Sequence, residues 1–554
     1  MKKSLLTVLT LLLSLTFVQA QNKSTISNST NKITTNDDYN YIAINQMKMW
    51  IGNNGSGSHD PNSDGSGLLW PEGENATLNL IFQDGLLWGG YVGDSLFVNG
   101  NTYRYGLQAA KILDNGLADD PSLSKYRVYK IRKDWEDLSF GETRDQYQKD
   151  YLEWSADDGA PFYDSNNDGI YTAGIDQPLF LGDEVLWCVM NDLDPGRTTS
   201  TYGTGPIGLE VQLTVYGFNT SSILQNVLFK KYRIINKSQN TIDDMFFGYW
   251  SDPDLGDLSD DYVGCDTILN LAYCYNADND DELYYGENPP AVGYVLLQGT
   301  TISGTSSDSA RFNNQWVYGM KDQGMTSFSF TMNTSFFPPP CWEYPSQHIQ
   351  QYNYLNGLVC DGSAYRNPID NKITKFPFSG NPVDSTGWFM SYENLPPPGD
   401  MRMYLNSGSI TMAPGDTQEV VIAIIAAQGS NNLQSVTELK KTAKNVQYFY
   451  DNYIPELVNI NYEPPLPEYY YLSQNYPNPF NPTTIINYEL PISGFVSLKV
   501  FDILGREIAV LVNEERSPGI YQVELSSENL SSGIYFYTLN SGAFSKTRKM
   551  TVIK

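Results

Sequence analysis

The chain has 554 residues and a mass of 62.2 kDa, enough for three or four domains at roughly 150 residues each. Hydrophobic residues at 41% and aromatic residues at 13% exclude wholesale disorder. A formal charge of -28, carried on only 18% charged residues, repels phosphate: it argues against nucleic-acid binding and against docking to anionic membranes, and it suits divalent cations.

Residues 1–20 read as a secretory signal peptide. Lys2 and Lys3 precede an apolar Leu5-to-Val18 run, and Val18-Gln19-Ala20 is a small-x-small cleavage site. Loss of the two lysines takes the formal charge from -28 to -30. The run is short for a membrane span, and no other stretch approaches 18 apolar residues, so the expectation is a protein that does not span the membrane and is exported through the periplasm. Residues 21–40, rich in Ser, Thr and Asn, read as a flexible leader.

Residues 41–204 are expected to form an N-terminal β-rich region. Ala76-Thr-Leu-Asn-Leu-Ile-Phe82 and Tyr126-Arg-Val-Tyr-Lys-Ile131 are strand-like, with Gly, Asn and Asp between such runs. Residues 205–454 are expected to form a central β-sandwich with long loops. Leu209, Val211, Leu213 and Val215 alternate with Glu210, Gln212 and Thr214; Val227–Ile235 and Met245–Trp250 follow at sandwich spacing. The Pro-, Gly- and Tyr-rich stretch 290–400 reads as covering loops. One helix is expected near 431–450, where Val436, Leu439, Ala443, Val446 and Phe449 recur at helical spacing. A Pro-rich linker, 455–469, precedes a small β domain at 470–554. The fold class is therefore all-β, mainly antiparallel, in a multi-domain β-sandwich architecture.

The last 85 residues carry the most specific pattern. Asn475-Tyr-Pro-Asn-Pro-Phe-Asn-Pro482 opens it, Asp502-Ile-Leu-Gly505-Arg506 forms a turn, and Ser532-Gly-Ile-Tyr-Phe536 and the basic 546–554 tail close it. Gly505, Gly519 and Gly533 are expected at chain reversals that need positive φ. The segment resembles the type A C-terminal sorting domain of the type IX secretion system. The resemblance implies an Ig-like fold, recognition by the type IX machinery, delivery to the outer cell surface or the medium, and anchoring to surface glycolipid or release. Asp84-Gly-Leu-Leu-Trp-Gly-Gly90 and Tyr249-Trp-Ser-Asp-Pro-Asp254 resemble segments of uncharacterised cargo proteins of the same group, which implies no chemistry.

The best local motif for a ligand is Asp164-Ser-Asn166-Asn-Asp168-Gly169-Ile170. Side-chain oxygens at positions 1, 3 and 5, glycine at 6 and the Ile170 carbonyl at 7 suit a Ca2+ loop. Position 12 is Ile175 and not the bidentate Glu of an EF-hand, so Asp176, at position 13, is the fifth expected ligand. The alternative is an Asx turn satisfied by its own backbone. Asp60-Pro-Asn62-Ser-Asp64-Gly65 is a weaker copy. Acidic clusters at 252–266 and 276–282 read as solvated loops or a second metal site. His59, in a loop expected to be disordered, and His348 read as ordinary surface histidines. The sequence has no His-Glu-x-x-His, Gly-x-Ser-x-Gly or phosphate-loop motif. Of five cysteines, the nearest pairs are Cys265 with Cys274 and Cys341 with Cys360, and five unpaired core thiols are the alternative. Together these features point to a structural, adhesive or ligand-binding extracellular protein with bound calcium. The alternative is a carbohydrate-active protein that binds or hydrolyses surface polysaccharide.

Overall fold

The computed structural model describes residues 36–333, 348–392, 396–453, 470–475, 477–490, 494–516, 519–527, 530–542 and 544–553. The signal peptide, the leader up to residue 35, Cys341 and the 455–469 linker lie outside the described residues.

Two antiparallel sheets form the body. The larger, of nine strands, runs Tyr129–Arg132, Glu184–Asn191, Leu209–Gly217, Val227–Asn236, Thr417–Ala427, Ala291–Gln298, Leu271–Asn276, Asp261–Asp266, with Gln108–Ala109 also pairing to Glu184–Asn191. The second, of five strands, runs Ser327–Met332, Met401–Met412, Ile242–Asp252, Gln83–Val92, Ser95–Gly100. Their facing sides share one core, in which Cys188, Leu213, Tyr232 and Ile424 meet Trp88, Phe247, Met403 and Leu405.

Both outer faces are covered as well. Helix α4, Asn432–Asn452, lays Val436, Leu439, Ala443, Val446 and Tyr450 on the outer face of the larger sheet, against Phe229, Val295 and Ile425. Asn431 caps it by accepting the Gln434 N–H at 2.7 Å. Helix α3, His348–Leu355, covers Leu87, Phe246, Trp250 and Tyr404 of the second sheet. Burial on both faces explains why Ala291–Gln298 and Leu209–Gly217 are buried at every position. The polar side of Leu209–Gly217 therefore does not meet water: Glu210 accepts the Ile112 N–H at 2.7 Å and a Gln212 amide hydrogen at 3.0 Å.

Three expectations are corrected here. The boundary at 204/205 divides no sheet, because Glu184–Asn191 pairs along its whole length with Leu209–Gly217. Residues 290–400 are not only covering loops: Ala291–Gln298 is an internal strand and Ser327–Met332 an edge strand. Helices other than α4 occur among the described residues. Helix α1, Glu142–Leu152, has almost no apolar stripe and buries only Tyr147 and Asp150. Polar ties hold it, Tyr147 donating to Glu184 and Arg127 pairing with Asp150 at 2.9 Å. Helix α2, Pro195–Tyr202, starts at the Asp194 cap with Pro195 in its first turn.

The C-terminal domain packs the three-stranded sheet Tyr471–Leu472, Thr483–Leu490, Gly519–Ser526 with the four-stranded sheet Glu507–Arg516, Gly494–Phe501, Gly533–Ser541, Phe544–Val552. Ile486, Tyr488, Val496, Leu498, Val500, Tyr537 and Leu539 fill its core. Asn475 is buried; its N–H donates to the Tyr537 hydroxyl at 2.7 Å and its amide to Thr484 Oγ1 at 2.9 Å. Asp502 accepts the Leu504 and Arg506 N–H groups, and Gly505 closes that turn at φ +77°. Gly533, in contrast, opens a strand without positive φ.

Candidate functional sites

The loop predicted to take calcium is bounded by a two-residue ladder, Phe162 opposite Pro178 and Tyr163 opposite Gln177. Asp164 accepts the Asp168 N–H at 3.1 Å and the Gly169 N–H at 2.7 Å. Asn166 Oδ1 also accepts the Asp168 N–H, and Asp168 accepts the Ile170 N–H at 2.8 Å. Gly169 turns at φ +78°, with open space where a Cβ would stand. Asp164, Asn166 and Asp168 thus wrap one turn on the surface. Asp176 behaves differently. It is fully buried, and its two oxygens accept the Ser165 and Thr172 N–H groups at 2.8 and 2.7 Å. It ties the neck of the loop from inside.

The weaker copy is a hairpin, His59–Asp60 paired with Gly65–Ser66. Asp60 accepts the Asn62 N–H and the Ser63 hydroxyl, both at 2.9 Å. His59 is ordered, correcting the expectation of a disordered loop: it packs edge-on to Phe82 and bonds Asp64 at 3.1 Å, and burial pushes its pKa down.

The 252–266 cluster is not a solvated loop either. Asp252, Asp254 and Asp261 are buried. Among the described residues, Asp252, Asp254 and Asp400 form the one group of three carboxylates with oxygens within 4.8 Å of one another. Arg402 sets one positive charge against these three carboxylates, 3.2 Å from Asp252 and 2.7 Å from Asp400, and Tyr103 donates to Asp252 at 2.7 Å. Beside it, burial and then the nearby Asp257, Asp281 and Asp278 charges push Asp260 up to about 6.

Periodicity did not reveal the polar centre between the sheets. Lys230 Nζ lies 2.6 Å from Asp84 Oδ1 and donates to the Tyr249 hydroxyl at 2.7 Å. Ser58 and Tyr294 hydroxyls donate to Asp84 Oδ2 at 2.9 and 3.0 Å. Lys230 and Asp84 have no exposed surface. The signal was present in the strand pattern: Leu228, Lys230, Tyr232 and Ile234 share a face, so the lysine points into the core. Cys188, Cys265 and Cys274 are buried free thiols whose pKa values burial pushes up. The strand register sets Cys265 opposite Ala272 and Cys274 opposite Val263, so this pair is diagonal and unbonded. Cys360 is disulfide-bonded.

The C-terminal domain is where comparison with known proteins is decisive. The secretion system C-terminal sorting domain family matches residues 474–554. This segment is a type IX sorting domain. The chain is accordingly cargo of that system, recognised by its machinery and exported to the cell surface or the extracellular space. No helix among the described residues is long and apolar enough to cross a membrane. No curated protein sequence matches the chain. Among solved structures, a polysaccharide lyase aligns at 9% identity and a TM-score of 0.17, covering 62% of this chain and 34% of its own. The dimeric latent PorU of Porphyromonas gingivalis aligns at 11% identity and a TM-score of 0.14, covering 67% of this chain and 31% of its own. The chain thus spans about a third of the length of either structure, and overlaps this weak carry no functional argument.

Proposed function

We propose that this cargo is a non-enzymatic surface or extracellular protein, structural, adhesive or ligand-binding, with calcium held in the 164–170 loop. The supporting observation is the shape of that loop. Asp164, Asn166 and Asp168 are gathered around one glycine turn by their own backbone amides, and each oxygen that accepts one N–H keeps a second lone pair for a hard cation. The Ile170 carbonyl and Asp176 complete the proposed set; Asp176 is buried at the loop neck, where each of its oxygens likewise accepts one N–H and keeps a second lone pair. Loops of this kind, mounted on two sheets locked face to face, suit a protein that must keep its shape outside the cell.

The test is calorimetry of the full chain with CaCl2, together with thermal unfolding in calcium and in chelator. Binding to the folded state alone adds about 2.7 kcal/mol at a hundredfold excess over Kd. The expected result is a one-site isotherm that Asp164→Ala and Asp168→Ala remove. No heat and no shift in unfolding would refute the calcium assignment.

A further inference from the structure

A cavity of about 280 Å³ lies between the C-terminal half of α4, the hairpin that pairs Ser309–Phe312 with Gln315–Tyr318, and the end of the Ala291–Gln298 strand. Arg311 lines it with 3% of its surface exposed. The guanidinium carbon lies 4.6 Å from the Trp316 ring centre and 4.7 Å from that of Tyr450. Nη2 donates to the Asp451 carbonyl, while Nε and Nη1 have no hydrogen-bond partner in the protein. A buried charged group with two open donors is costly, and such groups in native proteins call for a partner.

No carboxylate of the cavity wall hydrogen-bonds the two open nitrogens, although the Asp451 charge lies near enough to interact with Arg311. Asp322 accepts the Gly299 and Gly324 N–H groups at 3.0 and 2.8 Å, and Asp451 accepts a Gln447 amide hydrogen at 3.0 Å. The two open donors are therefore free for an acceptor from outside, and a planar carboxylate fits guanidinium geometry. Trp316 is 47% exposed and offers a flat apolar face beside it. Asp322, Asp451 and Gln447 remain as acceptors for hydroxyl groups. A doubly charged phosphate would face these two carboxylates at close range, whereas a singly charged ligand with many hydroxyls uses them. The volume is below the range of about 300–1,000 Å³ that holds drug-sized ligands, so it suits one ring.

We propose that this cavity binds a single carboxylated sugar residue, its carboxylate on Arg311 and its ring against Trp316. The assignment gives the ligand-binding reading a ligand class and rests on that reading, but not on calcium in the 164–170 loop.

The experiment titrates D-glucuronate, D-glucose and inorganic phosphate into the full chain by calorimetry, with and without calcium. Glucuronate is expected to bind at least about tenfold more tightly than glucose, because the site holds a donor set only the acid satisfies. Arg311→Gln should erase that preference and Trp316→Ala should weaken glucuronate several-fold. Equal binding of acid and neutral sugar, preference for phosphate, or no glucuronate binding overturns the proposal. Should Arg311→Gln fail to fold, Trp316→Ala, on a half-exposed side chain, decides: unchanged glucuronate affinity also overturns it. A calcium isotherm without glucuronate binding removes this site and leaves the loop assignment standing.

Discussion

Replacing Lys230 by Met should destabilise the body severely, because it leaves the Asp84 carboxyl buried without the cation that pairs with it. In the native structure the carboxylate has Lys230 at 2.6 Å on one oxygen and the Ser58 and Tyr294 hydroxyls on the other. Breaking one side of such a buried pair costs about 3–5 kcal/mol, whereas the intact pair contributes far less than its Coulomb attraction suggests. The double change Lys230→Met with Asp84→Asn removes both charges and leaves a neutral amide among hydroxyl groups. Its cost should fall to about 1–2 kcal/mol, the range for imperfectly satisfied neutral polar groups. The two substitutions should therefore couple strongly and favourably. Urea unfolding followed by tryptophan fluorescence reads this directly: at a slope near 3 kcal/mol/M, the single variant loses about 1–1.7 M of midpoint. Gly57→Ala is an independent probe, since a Cβ there would meet Asp84 Oδ1 at 2.2 Å and Lys230 Nζ at 2.4 Å. A Lys230→Met cost below about 1 kcal/mol, the range of an exposed substitution, or simple additivity in the double variant, would refute the argument.

The pH dependence follows from Asp260, pushed up to about 6. Between about pH 4 and 6 the folded state holds a proton that the unfolded state has released, so stability falls as pH rises through that window and levels off above it. Asp260→Asn should flatten this part of the profile and stabilise the protein at pH 7 by about 1 kcal/mol, the full shift being discounted for partial exposure; an unchanged melting profile from pH 4 to 7 contradicts it. Leu439→Ala, at a fully buried position of α4 over Gly293, should cost about 2–5 kcal/mol by chemical denaturation, and a cost near zero would mean that α4 does not seal the larger sheet. Removal of residues 470–554 should leave the protein in the periplasm, read by cell fractionation; surface or medium localisation without this segment would contradict its sorting role.

How much could be read from the chain differs by element. The sorting domain was legible through the resemblance of its motif string to a known family, and local backbone demands account for parts of that string, as at the Asp502–Arg506 turn and around Asn475. Helix α4 was legible because it buries one stripe at helical period. Helix α1 was not: its sequence has no stripe, and what holds it is Arg127 and Glu184, far away in the chain. The 164–170 segment was legible as a glycine turn that gathers side-chain oxygens, read as a calcium loop with an Asx turn as the alternative, while the inward role of Asp176 depends on amides across the loop neck.

The order of residues along the chain by itself determined the class of strands and the long helix, since each depends on patterns a few residues wide, and the export address through the resemblance of residues 474–554 to a known sorting domain. The tertiary structure alone decided which strands are neighbours: Ala291–Gln298 beside Thr417–Ala427, Gln83–Val92 beside Ile242–Asp252. It also decided which charges meet. Asp84 finds Lys230, Asp252 finds Arg402, and Arg311 is left with open donors at a cavity. The reason is physical: a buried charge is stabilised by whatever the fold brings within about 3 Å, and the pairing of distant strands, not local sequence, sets that distance.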